Sequence, residues 1–224
     1  IDVGGESTRP VTADAPPLDA LVERDRVVPV IEALADALPA RVLISVDTYK
    51  ASVARAAMTA GAVMVNDVWG MRHDPEMAAV VAERGVPVVV MSNLRGQPRH
   101  DALSDVLRQL ARSIDLALEA GISWDCLIVD PGIGFGLHPA ENLAVLRRLD
   151  AIAALGRPVL VGTSRKATVG TVLGGPPEDD RLEGTAATVA LCIARGADVV
   201  RVHDVREMAL VARMADAVVR GWPR

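Results

Sequence analysis

The chain has 224 residues, 50% of them hydrophobic, with a formal net charge of -5 and a positive mean hydropathy. That length supports one substantial core, and the acidic balance, with no basic block interleaved with aromatics, excludes a nucleic-acid binder. No apolar stretch reaches the roughly 18 to 20 uncharged residues that span a bilayer, and no signal peptide is visible, so the expectation is a cytoplasmic protein with no membrane partner.

The chain opens on an apolar strand end, Ile1-Asp2-Val3, followed by two turn-forming glycines and the polar cluster Glu6 to Arg9, closed by Pro10. An apolar run that stops at glycines and delivers hydroxyls and a cation reads as a strand feeding a functional loop. The same device recurs along the chain. Short apolar runs at 1–3, 42–46, 62–65, 87–91, 126–129, 158–161 and 198–202 read as parallel strands covered on both faces. Helical patterns lie between them at about 18–38, 50–60, 75–84, 102–121, 139–154, 182–195 and 206–220. Pro29 predicts a kink or two consecutive pieces in the first, and Gly61, Gly85, Gly121 and Gly196 are the expected helix stops. Cys126 and Cys192 sit in apolar runs and read as buried small hydrophobes in a reducing compartment rather than a disulfide or metal pair.

Repeating βα units fit either an open doubly wound sheet or a barrel. The even repeat, the absence of a dinucleotide fingerprint after the first strand, and polar residues after nearly every strand favour the barrel. The predicted class is therefore α/β, a (β/α)8 TIM barrel lacking its first βα unit, in a single domain over 1–224. Closure with eight strands needs roughly 30 to 50 further residues upstream of Ile1.

In a barrel the strand ends share one mouth. They collect Thr8 and Arg9, Asp47, Asn66 and Asp67, Met91 to Arg95, Asp130, Ser164 to Lys166, and Arg201 with His203. Asp47, Asn66 and Asp130 are acceptors suited to a flat heterocycle rich in N–H donors. Arg9, Lys166, Arg201 and His203 suit a phosphate or carboxylate, through charge-assisted bonds worth about 1.5–3 kcal/mol each. Each piece also has a plainer reading: Asp47 alone is a helix cap or turn former, Asp67 a structural partner, Arg165 and Lys166 a solvated pair, and His203 a rim histidine. His73, His100 and His138 read as surface. No nucleophile elbow is present, and zinc-binding spacing is absent.

The strings DVGGESTRP, SVDT, VND, DPGIGFG, VGTSRK and RVHDV, in this order, closely resemble dihydropteroate synthase from Ile1 to about Val205. The resemblance implies a barrel that joins 6-hydroxymethyl-7,8-dihydropterin pyrophosphate to p-aminobenzoate, requires Mg2+, and is the target of sulfonamides; a homodimer is expected. It implies that Asp47, Asn66 and Asp130 hold the pterin edge, that Lys166 bonds the ring, and that Met91 and Arg201 pack on its faces. Thr8, Arg9 and Pro10 would form a mobile loop over the p-aminobenzoate site, which Phe135 lines and where the backbone at Lys166 and Ala167 meets the carboxylate. Arg9, Arg201 and His203 would grip the pyrophosphate, so Arg9, Lys166, Arg201 and His203 are the catalytic set. No metal ligand is expected within the chain, because the family's Asn ligand belongs to a loop expected upstream of Ile1. The expectation is an active full-length gene product and an inactive 224-residue chain.

The chain departs from the family pattern at Ser92 and the following Asn93 to Gly96, at Leu137, at Ala167, and at Val11 and Thr12. These put the outer, second-substrate site in question rather than the pterin site. A catalytically silent pterin-binding paralogue, a corrinoid-linked methyltransferase on a related barrel and a Schiff-base aldolase using Lys166 are the alternatives.

Overall fold

A computed structural model describes residues 1–8 and 16–222. Its contacts group into two compact units, Ile1–Met91 with Ala111–Ile128, and Ser92–Leu110 with Val129–Arg224.

In the first unit, β1 (Asp2–Gly4), β2 (Ser45–Asp47), β3 (Met64–Asp67) and β4 (Val88–Met91) run parallel and in chain order, with the first half of β5 (Leu127–Asp130) next. The register explains which residues face which way. Val3, Val46 and Val65 form one row, and Gly4, Asp47 and Asn66 the next. Side chains alternate along a strand, so the valines share one face while Asp2, Ser45, Asp47 and Asn66 share the other. The strands were expected to be apolar on both faces; one face is polar instead. Those polar groups persist because they bond one another: Ser45 Oγ donates to Asp2 Oδ1 at 2.6 Å and Asn66 Nδ2 donates to Asp2 Oδ2 at 3.0 Å.

Each of β1 to β4 is followed by a helix. Asp19 caps α1 (Ala20–Ala37) by accepting the Leu21 N–H at 2.8 Å. This helix is one continuous element through Pro29 rather than two pieces. The N–H that Pro29 lacks would have paired with the carbonyl of Asp25, an exposed residue that water can serve. It packs on α2 (Ala51–Thr59), which is followed by α3 (Met77–Arg84), closed by the left-handed Gly85. The long α4 (Ala102–Glu119) buries Val106, Leu110, Ile114 and Ala117 at helical spacing.

In the second unit Val129 of β5 bridges in parallel to Val159, and β6 (Leu160–Val161) pairs in parallel with β7 (Val199–Val200). The expected helix over 139–154 is two, α5 (Pro139–Arg147) and α6 (Leu149–Ala153), broken at Arg148 with φ −116° and ψ 32°. A short helix absent from the expected set, α7 (Ala167–Val172), follows Lys166. Then come α8 (Leu182–Ala194) and α9 (Val205–Arg220), joined through buried Val189, Ile193 and Met208. All pairings run from each strand to the next in sequence, the strand order of a (β/α) barrel. Among the described residues, no helix is long and apolar enough to cross a membrane.

Candidate active site

The first unit carries Thr8, Asp47, Asn66, Asp67 and Met91. Asp47 ends β2 with Oδ1 shielded from solvent, and its register partner on β3 is Asn66, itself buried. Asp2 orients Asn66: the bond from Nδ2 leaves Oδ1 as that amide's acceptor end. Sequence reasoning overlooked Asp2, whose only signal was its place at the inner end of the first apolar run. Asp67 plays the structural part expected of it. Its buried carboxylate accepts the N–H of Trp69 at 2.8 Å and of Met71 at 2.6 Å, and burial pushes its pKa up to about 6 despite those donors and Arg72. Met91 is buried at the end of β4.

Where the loop after β1 begins, Glu6 accepts the Leu18 N–H at 3.2 Å and the Tyr49 hydroxyl at 3.0 Å. Lys50 bonds both Glu6 and the fully buried Glu23 of α1. Burial acts against the charge of Glu6, but Lys50, the Leu18 amide and Tyr49 together hold its pKa below the usual carboxylate range. Arg9 and Pro10, expected in this loop, lie outside the described residues.

The second unit carries Asp130, Phe135, Lys166, Ala167, Arg201 and His203. Asp130 is buried at the end of β5 and accepts the Gly132 N–H at 2.7 Å. Burial raises its pKa, while the charges of Lys166 and Arg201 and the Gly132 N–H pull it down. The Lys166 cation and the Arg201 backbone both border Gly162: a Cβ there would lie 3.7 Å from Lys166 Nζ and 3.8 Å from the Arg201 carbonyl oxygen. Lys166 Nζ donates to the Ile133 carbonyl at 2.5 Å and stands 5.2 Å from the centre of the Phe135 ring. Arg95 lies over the same ring at 4.2 Å, so Phe135 has two cations within cation–π reach. Ala167 is exposed at the start of α7.

His203 is bound to Ser164, a partner the sequence did not suggest. Ser164 Oγ accepts the His203 backbone N–H at 3.1 Å and lies 2.9 Å from Nδ1. Which of the two atoms donates follows the ring's tautomer, since a hydroxyl can accept twice as well as donate. Arg165 is no solvated residue: it pairs with Asp204 at 2.6 Å and with Asp179 at 2.5 Å, from a left-handed backbone at φ 57°.

Of the positions that depart from the family pattern, Val11 and Thr12 lie outside the described residues, and Ser92 to Leu94 are well held. Ser92 and Asn93 are buried, and the Asn93 N–H bonds Gln109 Oε1 at 2.9 Å. The Leu94 N–H donates to the Phe135 carbonyl at 2.9 Å. Gly136 allows this contact, since a Cβ there would sit 2.4 Å from the Leu94 carbonyl carbon. Of the two cysteines, Cys192 is buried, with its thiol pushed up to about 12 by burial, whereas Cys126 is only half-buried, against expectation.

Known proteins carry the same framework. The family described as pterin binding enzyme matches residues 1–203. A dihydropteroate synthase of Bacillus subtilis is 50% identical over 219 residues, 98% of this chain and 75% of the relative. A crystal structure of the dihydropteroate synthase of Clostridium difficile in the presence of pteroic acid superposes with a TM-score of 0.92 at 44% identity, covering 98% of this chain and 81% of that one. The Xanthomonas albilineans dihydropteroate synthase with 4-aminobenzoic acid gives a TM-score of 0.92 at 40% identity, over 99% of this chain and 79% of that one. On this extent of identity, and with the acid, amide and cation groups at its strand ends, the chain belongs to the pterin-binding enzyme family, among the dihydropteroate synthases of folate biosynthesis.

Proposed function

We propose that these groups serve the condensation of 6-hydroxymethyl-7,8-dihydropterin pyrophosphate with p-aminobenzoate to give 7,8-dihydropteroate and pyrophosphate. The observation that carries the assignment of roles is the buried Asp130 with Lys166 and Arg201 acting on it. A carboxylate kept from water has little hydrogen bonding to lose and two N–H donors of a pterin edge to gain. Asp47 and Asn66, side by side in register, offer the same kind of acceptor. Lys166 bonds the ring, and Met91 and Arg201 pack on it.

The reaction is a substitution at the pterin methylene. The bond from carbon to the pyrophosphate oxygen breaks as the arylamine nitrogen attacks, and the amine then loses a proton. A neutral arylamine needs no strong base, so the rate rests on orientation and on stabilising the departing charge. Arg9, Arg201 and His203 are the groups that meet that charge. Phe135, Thr8, Pro10 and the start of α7 at Lys166 and Ala167 hold p-aminobenzoate. Mg2+ is the ion the resemblance assigns to this chemistry. Among the described residues no three His, Cys, Asp or Glu side chains gather as an ion cage. The cytoplasm is the compartment that suits two free cysteines.

Calorimetric pterin titration and pyrophosphate release from the full-length protein test these roles. Asp130→Asn should weaken pterin binding roughly ten- to a hundredfold, the equivalent of one charge-assisted hydrogen bond. Unchanged affinity in that variant would remove Asp130 from the pterin edge.

A further inference from the structure

Asn142 lies in the first turn of α5 and is 1% exposed. Its Oδ1 accepts the Gly134 N–H at 3.0 Å, and its Nδ2 donates to the Leu137 carbonyl at 3.1 Å and to Thr168 Oγ1 at 3.0 Å. Chemistry fixes this orientation: a flipped amide would set its NH2 against the Gly134 N–H and its oxygen against the Leu137 carbonyl. One buried amide therefore holds the loop on both sides of Phe135 and ties it to the second residue of α7. The loop and Lys166 are already linked by the bond to Ile133, and a Cβ on Gly134 would lie 3.4 Å from Lys166 Cδ. Buried networks of this kind specify a single arrangement when every member is satisfied.

We propose that Asn142 and Thr168 form a positioning pair that sets Phe135 against Lys166 and so determines affinity for the aromatic amine without touching it. The inference rests on the reading that Phe135 and the start of α7 hold p-aminobenzoate. A solely structural role would lower stability without separating the two substrates. A positioning role changes one substrate's KM alone.

The test compares Thr168→Val, Thr168→Ser and Phe135→Ala in the full-length protein, with KM for p-aminobenzoate from pyrophosphate release and pterin affinity from calorimetry. Valine keeps the shape of threonine and deletes the hydroxyl that receives Nδ2; serine keeps the hydroxyl. Thr168→Val should raise KM for p-aminobenzoate about tenfold, equivalent to ~1.4 kcal/mol, with pterin affinity within about twofold. Thr168→Ser should stay within about twofold on both. An unchanged KM in Thr168→Val, or an equal loss of affinity for both substrates, would overturn the pairing. Phe135→Ala separates the two failures. If it raises KM while Thr168→Val does not, only the positioning pair falls. If it leaves KM unchanged, the p-aminobenzoate site is misplaced and the pair falls with it. Should Thr168→Val fold poorly, exchange of the Gly134 amide decides: faster in Asn142→Ser if the pair holds the loop, unaltered if it does not.

Discussion

Asp67 shows how far a single carboxylate can be moved by its surroundings. It is buried, it serves the Trp69 and Met71 amides, and its pKa stands at about 6, against about 3.9 in an unfolded chain. The native state thus binds a proton that the unfolded state has already released between these values. Stability should fall as pH rises from about 4 to about 6 and level off above, with a total on the order of 3 kcal/mol from this one group. Urea midpoints measured across that range in the parent and in Asp67→Asn would isolate it. The variant should lose this part of the pH dependence. A pH profile identical to the parent's would show that Asp67 does not carry the shift.

Elements carry the next level of constraint, and the Glu6–Lys50–Glu23 cluster joins three of them: the loop after β1, the start of α2 and the first turn of α1. The side chains of Glu6 and Lys50 are 15% and 14% exposed and that of Glu23 1%, so removing the shared cation leaves carboxylates with little water to replace it. Lys50→Met should cost about 3–5 kcal/mol in chemical denaturation, more than an exposed ion pair's 0–1 kcal/mol. Glu23 also marks what sequence could not tell. A glutamate on an amphipathic helix reads as a solvated face, and only its partner 27 residues away explains why it is inside. Asn142 was hidden for the same reason. The strands were legible as apolar runs, yet their observed ends reach Asp47, Asp67 and Asp130, past the apolar residues. The Trp69 and Met71 amides at Asp67 and the Gly132 amide at Asp130 let those carboxylates stay within the sheet, and an apolar-run criterion registers no partners. The break at Arg148 has neither glycine nor proline to announce it. The candidate residues Asp47, Met91 and Asp130 sit at strand ends, positions that residue type and order alone locate.

At the scale of the whole molecule, α9 has two apolar faces, and among the described residues only one is packed against the rest of the chain. Met208, Val211, Ala212 and Ala215 pack on α8. Leu210, Met214 and Val218 form a second stripe at four-residue spacing, continued by Trp222, and they are 61%, 63%, 73% and 77% exposed, with Leu191 of α8 at 65%. A row of large side chains this exposed is costly to leave in water. The occupant we expect is a second copy of the chain. A stripe in which one residue type repeats the character of the next is self-complementary under a two-fold axis, as an isologous dimer requires. Arg220 at its edge is engaged with Asp216 and the Ala197 carbonyl, and so forms a polar rim rather than an interruption. Light scattering on the eluting full-length protein at micromolar concentration should give twice the monomer mass. Met214→Glu with Val218→Glu should give the monomer, because four carboxylates cannot be desolvated against one another in a dimer. The mutated side chains are solvent-facing in the single chain, so its fold and far-UV spectrum should be retained. A monomeric parent, or a dimer that survives both substitutions, would mean that another partner or no partner covers this face.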